Sequence, residues 1–236
     1  MIRFEHIHKS YSLGRTRFTA IDDLSLEIGE GDFVALAGPS GSGKTTLLNL
    51  AGCIDKPDCG RIWIDGDEVT NVSLAALARK RRSRLGFVFQ NFNLIPVLTA
   101  FENVEYPLMI SHMPKRERQQ FAAEWLDRVG LASHSAKRPD QLSGGQRQRV
   151  AIARAMISAP AVVIADEPTA NLDSVTTGQI LDLMEQLNAE TRTTFLIATH
   201  DTRVMGRVER IVHMRDGRIA NIDERTLKGI PRAMAC

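Results

Sequence analysis

Phe33-Val-Ala-Leu-Ala-Gly38-Pro39-Ser40-Gly41-Ser42-Gly43-Lys44-Thr45-Thr46 decides how the chain is read. An apolar run ends in a glycine-rich loop, and Lys44-Thr45 open a helical pattern continued by Leu47, Leu48 and Leu50. This is the phosphate-binding spacing G-x-x-x-x-G-K-[ST], in its strand–loop–helix setting. Glycines let successive backbone N–H groups curl around a polyphosphate without Cβ clashes, and the helix start adds partial positive charge. Lys44 is expected to reach the β- and γ-phosphates and the Thr45 hydroxyl to ligate Mg²⁺. The alternative is an ordinary glycine-rich turn ahead of a helix, and the flanking strand and helix patterns argue against it. Residues 38–46 are therefore expected to bind a nucleoside triphosphate.

At 236 residues the chain is long enough for one large domain, or one domain plus a subdomain. A formal net charge of +2 argues against a general nucleic-acid surface. Cys53, Cys59 and Cys236 form neither a metal-ligand nor a disulfide framework, and the odd count points to reduced thiols. The first residues, Met1-Ile-Arg-Phe-Glu-His, lack the plan of a secretory signal, and no apolar run approaches the ~20 residues needed to span a bilayer. A cytosolic protein is expected, with any membrane contact made through a partner or the surface.

Around the phosphate loop lie strand-like pieces. Residues 2–8 form one, and Leu24-Ser-Leu-Glu-Ile28 alternates before the turn Gly29-Glu-Gly-Asp32. Gly60-Arg-Ile-Trp-Ile-Asp-Gly66 is a short strand bounded by glycines. These pieces fit an antiparallel sheet beside a parallel core. Tyr11 offers an aromatic ring for stacking on a base, against the commoner reading of a surface tyrosine. Residues 74–84 read as a helix with a basic cluster (Arg79, Lys80, Arg81, Arg82, Arg84), ordinarily a solvated face.

Leu85-Gly-Phe-Val-Phe89 is an apolar strand ending at Gln90. A glutamine at the C-terminal end of a parallel strand sits on the ligand-binding edge of an open α/β sheet, where its amide fits ligating Mg²⁺ or holding the attacking water. Residues 91–113 read as loop and short helix, rich in exposed-looking Phe92, Leu94, Ile95 and Leu98, either packed in a subdomain or docked on a partner. Pro114 begins a helix with an expected core stripe of Phe121, Trp125 and Val129 and a cap at Gly130. At Gln141-Leu-Ser-Gly-Gly-Gln146, residues Ser143, Gly144 and Gly145 stand at a helix start and make a second anion site. Two phosphate-binding helix starts with one catalytic loop suggest that two copies share each nucleotide.

Ala161-Val-Val-Ile-Ala-Asp166-Glu167 is a buried parallel strand ending in two acids. Asp166 suits Mg²⁺, held through water, and Glu167 suits polarising a hydrolytic water; the alternative is a pair of acids capping the turn at Pro168. Asn171-Leu-Asp173 precedes a helix with the stripe Ile180, Leu183, Met184 and Leu187. Thr194-Phe-Leu-Ile-Ala-Thr-His200 is a further apolar strand, with His200 placed to reach a γ-phosphate. Asp216-Gly217 joins two strands in a type I′ hairpin.

In this order and spacing the motifs resemble the ATP-binding subunit of ATP-binding-cassette (ABC) transporters, over residues 2–222. The marks are Tyr11, the phosphate loop Gly38–Thr45, Gln90, the signature Leu142-Ser-Gly-Gly-Gln146, Asp166-Glu167, Asp173 and His200. Phe87-Val-Phe-Gln-Asn-Phe-Asn-Leu-Ile-Pro96 and Thr99-Ala-Phe-Glu-Asn-Val104 resemble the lipoprotein-releasing and macrolide-export branch. Asn171 departs from the Ser-Ala-Leu-Asp form of the Asp173 motif without removing evident chemistry.

The resemblance implies an α/β fold: a P-loop NTPase parallel-sheet core with an antiparallel β subdomain (1–90 and 160–222) and an inserted helical subdomain (91–159). The tail 223–236 carries no motif. It also implies ATP hydrolysis with Mg²⁺. Two cassettes close head to tail, so that Ser143, Gly144, Gly145 and Gln146 of one serve the nucleotide held by the other, and Asp173 is also implied to bind nucleotide. Integral membrane subunits are the implied partners, with the cassette peripheral on the cytoplasmic face of the inner membrane and no nucleic acid involved. The implied cargo is a lipoprotein or another hydrophobic or amphiphilic substrate. The alternative within the family is a cell-division-type ATPase that regulates a membrane partner without transport.

Overall fold

A computed structural model describes residues 2–14 and 16–224. In chain order the first elements are β1 (Ile2–Leu13), β2 (Thr16–Ile28), β3 (Phe33–Ala37), α1 (Lys44–Ala51), β4 (Cys59–Ile64), β5 (Asp67–Glu68), α2 (Leu74–Arg84) and β6 (Leu85–Phe89). Three helices follow, α3 (Ala100–Ile110), α4 (Lys115–Arg128) and α5 (Gly144–Met156). The chain then runs through β7 (Val162–Asp166), α6 (Ser174–Thr191), β8 (Thr194–Thr199), α7 (Thr202–Met205), β9 (Arg210–Arg215) and β10 (Arg218–Glu224).

The strands make two sheets, one antiparallel in the order β2-β1-β4-β5 and one of six strands in the order β10-β9-β3-β8-β7-β6. Within the second sheet β3, β7 and β8 are near-continuous buried runs because both faces of the sheet are covered. The two-residue period of a strand divides them: Phe33, Ala35 and Ala37 enter one core and Val34 and Leu36 the other. β7 and β8 split the same way, with Val163, Ala165, Phe195 and Ile197 on the helical side and Val162, Ile164, Leu196 and Ala198 opposite. Each fully buried aliphatic side chain contributes about 1.5–3 kcal/mol, so these short strands are strongly held.

β3, β8, β7 and β6 are mutually parallel, with Ala37 opposite Thr199, Ala198 opposite Asp166, and Asp166 opposite Phe89. Their C-terminal ends therefore lie along one edge, and the residues that follow them are neighbours in space. Asp216 (φ 50) and Gly217 (φ 75) both take the left-handed conformation that a type I′ turn requires, closing the β9–β10 hairpin. β10 runs to Glu224, two residues past the expected domain end, and the rest of the tail lies outside the described residues. Cys236 lies there too.

Two expectations on the helical side need correction. The buried face of α4 is Ala122, Leu126 and Val129, whereas Phe121 is 41% exposed and Trp125 half-buried, its ring under the Arg128 guanidinium at 4.8 Å. Position 121 carries the larger side chain, but it is residue 122 that is fully buried in the core shared with α3 and α5. In 91–113, Phe92 is buried, and Leu94, Ile95 and Leu98 are half-buried rather than displayed. The buried Asn103 explains this: its amide donates to the carbonyls of Ile95, Leu98 and Thr99 and accepts from the Ile95 N–H, winding the loop inward. The exposed apolar residues of this stretch are Val97, Met109 and Ile110. The helix itself is well specified by a Thr99–Glu102 capping box.

Candidate functional site: a polyphosphate cleft on the sheet edge

The loop between β3 and α1 leaves its helix start uncapped by any side chain. Gly43, at the N-cap, has φ 100, and no side chain satisfies the first N–H groups of α1. A Cβ on Gly43 would run into the Ala20 carbonyl, so both conformation and space exclude other residues. The Lys44 ammonium donates to the Gly38 and Pro39 carbonyls at 2.7 and 2.9 Å, arching the loop around its own side chain. The Ser42 hydroxyl is buried and has no hydrogen-bond partner among the described residues.

This loop forms one wall of a cleft of about 610 Å³, lined by Gly38, Pro39, Ser40, Gly41, Gly43, Lys44, Thr45 and Thr46. The other wall is Gln90, Asp166, Glu167 and His200, the residues at the ends of β6, β7 and β8. Burial, and then the charge of Glu167, push the Asp166 carboxyl above its usual range, while Lys44 and the Thr45 hydroxyl pull the other way. Glu167 is held at φ 47, a conformation uncommon outside glycine. Its carboxylate lies 2.6 Å from His200 Nδ1 and accepts from the Thr199 hydroxyl at 3.3 Å. An uncapped helix start, a lysine and a carboxylate–histidine pair on one concave surface suit binding a polyphosphate with its terminal group at the strand ends.

The remaining expected residues lie outside this cleft. Ser143 caps α5: its hydroxyl accepts from the Gln146 N–H at 3.3 Å, and the Gln146 amide oxygen accepts from the Ser143 N–H at 2.9 Å. Gly144 and Gly145 form the first turn of α5 and pack on Leu172 and Thr176. Asp173 caps α6, accepting from the Val175 and Thr176 N–H groups and from the Thr176 hydroxyl. Tyr11 lies on β1, its hydroxyl donating to Asp55 at 2.8 Å and its ring 5.2 Å from Lys9 Nζ. Phe18, which sequence reading passed over, faces Tyr11 across the β1–β2 pair, is 55% exposed and lines the cleft. The signal available was an aromatic residue in a polar strand segment just upstream of the loop.

With this geometry in place, the comparisons are direct. The model of the ABC transporter family matches residues 21–170, and the chain belongs to that family. It is 44% identical to the ABC transporter ATP-binding protein MJ0796 of Methanocaldococcus jannaschii, over 97% of this chain and 98% of that one. It is 46% identical to the macrolide export ATP-binding/permease protein MacB of Syntrophobacter fumaroxidans, over 92% of this chain but only 31% of that longer protein. The solved dimeric structure of MJ0796 in a post-hydrolysis state bound to ADP and Pi superposes with a TM-score of 0.88 at 42% identity, covering 98% of this chain and all of that one. The chain is thus an ATP-binding cassette of the ATP-hydrolysing kind.

Proposed function

We propose that this cassette powers a membrane transporter by hydrolysing ATP in composite sites shared between two copies. The observation that carries the reading is the split between the two halves of the site. Phosphate loop, Gln90, Asp166, Glu167 and His200 line one cleft, while the signature residues stand at another helix start. A second copy docked head to tail brings its Ser143 over the γ-phosphate, and the dimeric MJ0796 structure supports such a pairing. In this reading Tyr11 and Phe18 flank the base, residues 38–46 hold the phosphates and Asp173 stands at the seam.

Thr45, Asp166 and Gln90 offer a hydroxyl, a carboxylate and an amide, the hard oxygen donors that Mg²⁺ takes together with substrate phosphates. The ion would supply charge neutralisation at the β- and γ-oxygens. Glu167 accepts a proton from the attacking water, His200 orients that carboxylate and reaches the γ-phosphate, and Lys44 stabilises the charge gathering on the transferred group.

Among the described residues no helix is long and apolar enough to cross a membrane, so coupling to transport runs through partner subunits. A groove of about 490 Å³ between α2, β6 and α3 fits a short helix of such a subunit, with Phe87, Phe89, Tyr106, Pro107 and Ile110 as its apolar lining. That puts the contact at the far end of 91–113, at Ile110 instead of the half-buried Leu98. We place the cassette on the cytoplasmic face of the membrane, with 91–159 as the helical subdomain that moves on the core. The macrolide-export relatives support hydrophobic or amphiphilic cargo.

Glu167→Gln tests the chemistry. Steady-state ATP turnover should fall by about 10²–10⁴-fold with ATP affinity retained, and near-normal turnover would remove Glu167 from the role.

A further inference from the structure

Gln90 directly follows β6, and the backbone after it is unusual. Phe92 (φ 61) and Asn93 (φ 46) are consecutive non-glycine residues in the left-handed region, a conformation that persists only where the surroundings enforce it. Arg154 of α5 supplies that enforcement. Its two terminal nitrogens donate to the Phe92 carbonyl at 2.9 Å and the Asn93 carbonyl at 2.6 Å, and it forms no ion pair among the described residues. The Arg147 guanidinium, two turns earlier on α5, lies 4.9 Å over the Phe92 ring. Asn171, on the loop before α6, donates to the Gln90 carbonyl at 3.1 Å and to the Asn91 side chain at 3.2 Å.

We propose that Arg154 and Asn171 are positioning residues that clamp the 90–93 turn to two separate elements and so fix the Gln90 side chain relative to the signature helix and the Asp173 loop. The argument rests on the reading of Gln90 as a group acting at the phosphates. One rigid helix, α5, carries Ser143 at its start and Arg154 in its last turn. A shift of that helix therefore moves the partner-facing cap and the Gln90 backbone together. Arg154 also lines the α2–β6–α3 groove, so that an occupant of the groove meets the same guanidinium. Asn171, whose departure from the family's commoner residue removes no evident chemistry, gains a function here: its amide ties the loop before α6 to Gln90. Lysine at 154 keeps the charge but loses the two-pronged fork that spans adjacent carbonyls.

The test is a pair of double-mutant cycles on the full chain. Arg154→Lys should lower kcat roughly 10- to 100-fold, and Asn171→Ala by a smaller factor, as is usual when the supports of a reacting group are removed. The affinity for ATP should stay within about twofold. Amide exchange at 90–93 should quicken while the core strands stay protected. In a Gln90→Ala background the further loss from either variant should shrink to less than about twofold, because the group being positioned is gone. Losses that multiply in the double variants, or unchanged exchange at 90–93, overturn the clamp. Should Arg154→Lys fail to fold, Asn171→Ala at its exposed position carries the same cycle. A Gln90→Ala variant with normal kcat would instead sink the reading of Gln90 itself, which separates the two failures.

Discussion

The starts of α1 and α5 are both glycine-rich and both read as phosphate sites, yet they are built on different physics. In the loop before α1, Gly41 and Gly43 have φ 81 and 100, so glycine is there for conformation, and the helix start has no side-chain cap. At α5, Gly144 and Gly145 lie within the helix with none of the positive φ seen in the loop, and the start is already closed by the Ser143–Gln146 box. Glycine is there for space, since Leu172 and Thr176 pack where a Cβ would go. An open, strained start can take a phosphate within its own chain. A capped, relaxed one suits the proposed role of covering a phosphate held by a second copy.

The largest effect that bears on this contrast is expected from Gly43→Ala. Forcing a side chain to φ 100 against the Ala20 carbonyl should weaken ATP binding by about 10- to 100-fold in a calorimetric titration, on a strain of about 1–3 kcal/mol. Wild-type affinity would mean the loop does not need its left-handed step.

Ser143→Ala comes next, and divides the two sites. Turnover in the dimer should fall at least about tenfold, while the dilute single chain keeps its ATP affinity. Loss of the cap should lower stability by about 1 kcal/mol. Equal losses in binding and turnover would move Ser143 into the same-chain site and break the comparison.

A smaller effect probes packing. Gly145→Ala should destabilise by about 1–3 kcal/mol through overpacking against the Thr176 methyl group. Thr176→Ser removes that methyl and keeps the hydroxyl that donates to Asp173 at 2.6 Å. The double variant should recover the melting temperature, and no recovery would mean that Gly145 is needed for something other than space.

The mildest test concerns Cys53, just past the end of α1. Burial pushes its thiol up to about 11, so at pH 8 it stays protonated, and alkylation should be far slower than at the exposed Cys59. ATP bound at the start of α1 should slow it further. Equal labelling of the two cysteines would show that α1 opens freely.

Most of the core was legible in the chain because parallel strands buried on both faces are simple apolar runs. The polar residues terminating them (Gln90, Asp166, Glu167, His200) could be placed on one edge without coordinates. The helical insert was less legible. α4 buries Ala122 and Leu126 rather than Phe121 and Trp125 because its rotation is set by α3 and α5, so a periodicity read from the largest side chains is off by one residue at those two positions while Val129 is buried as expected. The loop 91–99 looked exposed because nothing local announces that Asn103 will satisfy three of its carbonyls.

By itself the sequence determined that a polyphosphate would be bound and that residues 38–46 and the strand-end residues would share one cleft, because loop conformation, helix starts and strand ends are local matters fixed by residue type and spacing. Tertiary structure alone decided how those pieces answer to one another. Phe18 reaches the cleft through the pairing of β1 with β2. Glu167 and His200, each just past the end of its strand and 33 residues apart in sequence, come within 2.6 Å. Arg154 grips two carbonyls some 60 residues away, 61 and 62 positions earlier in the chain. Such contacts join residues distant along the chain, so their geometry exists only once the cores on both faces of the sheet have packed.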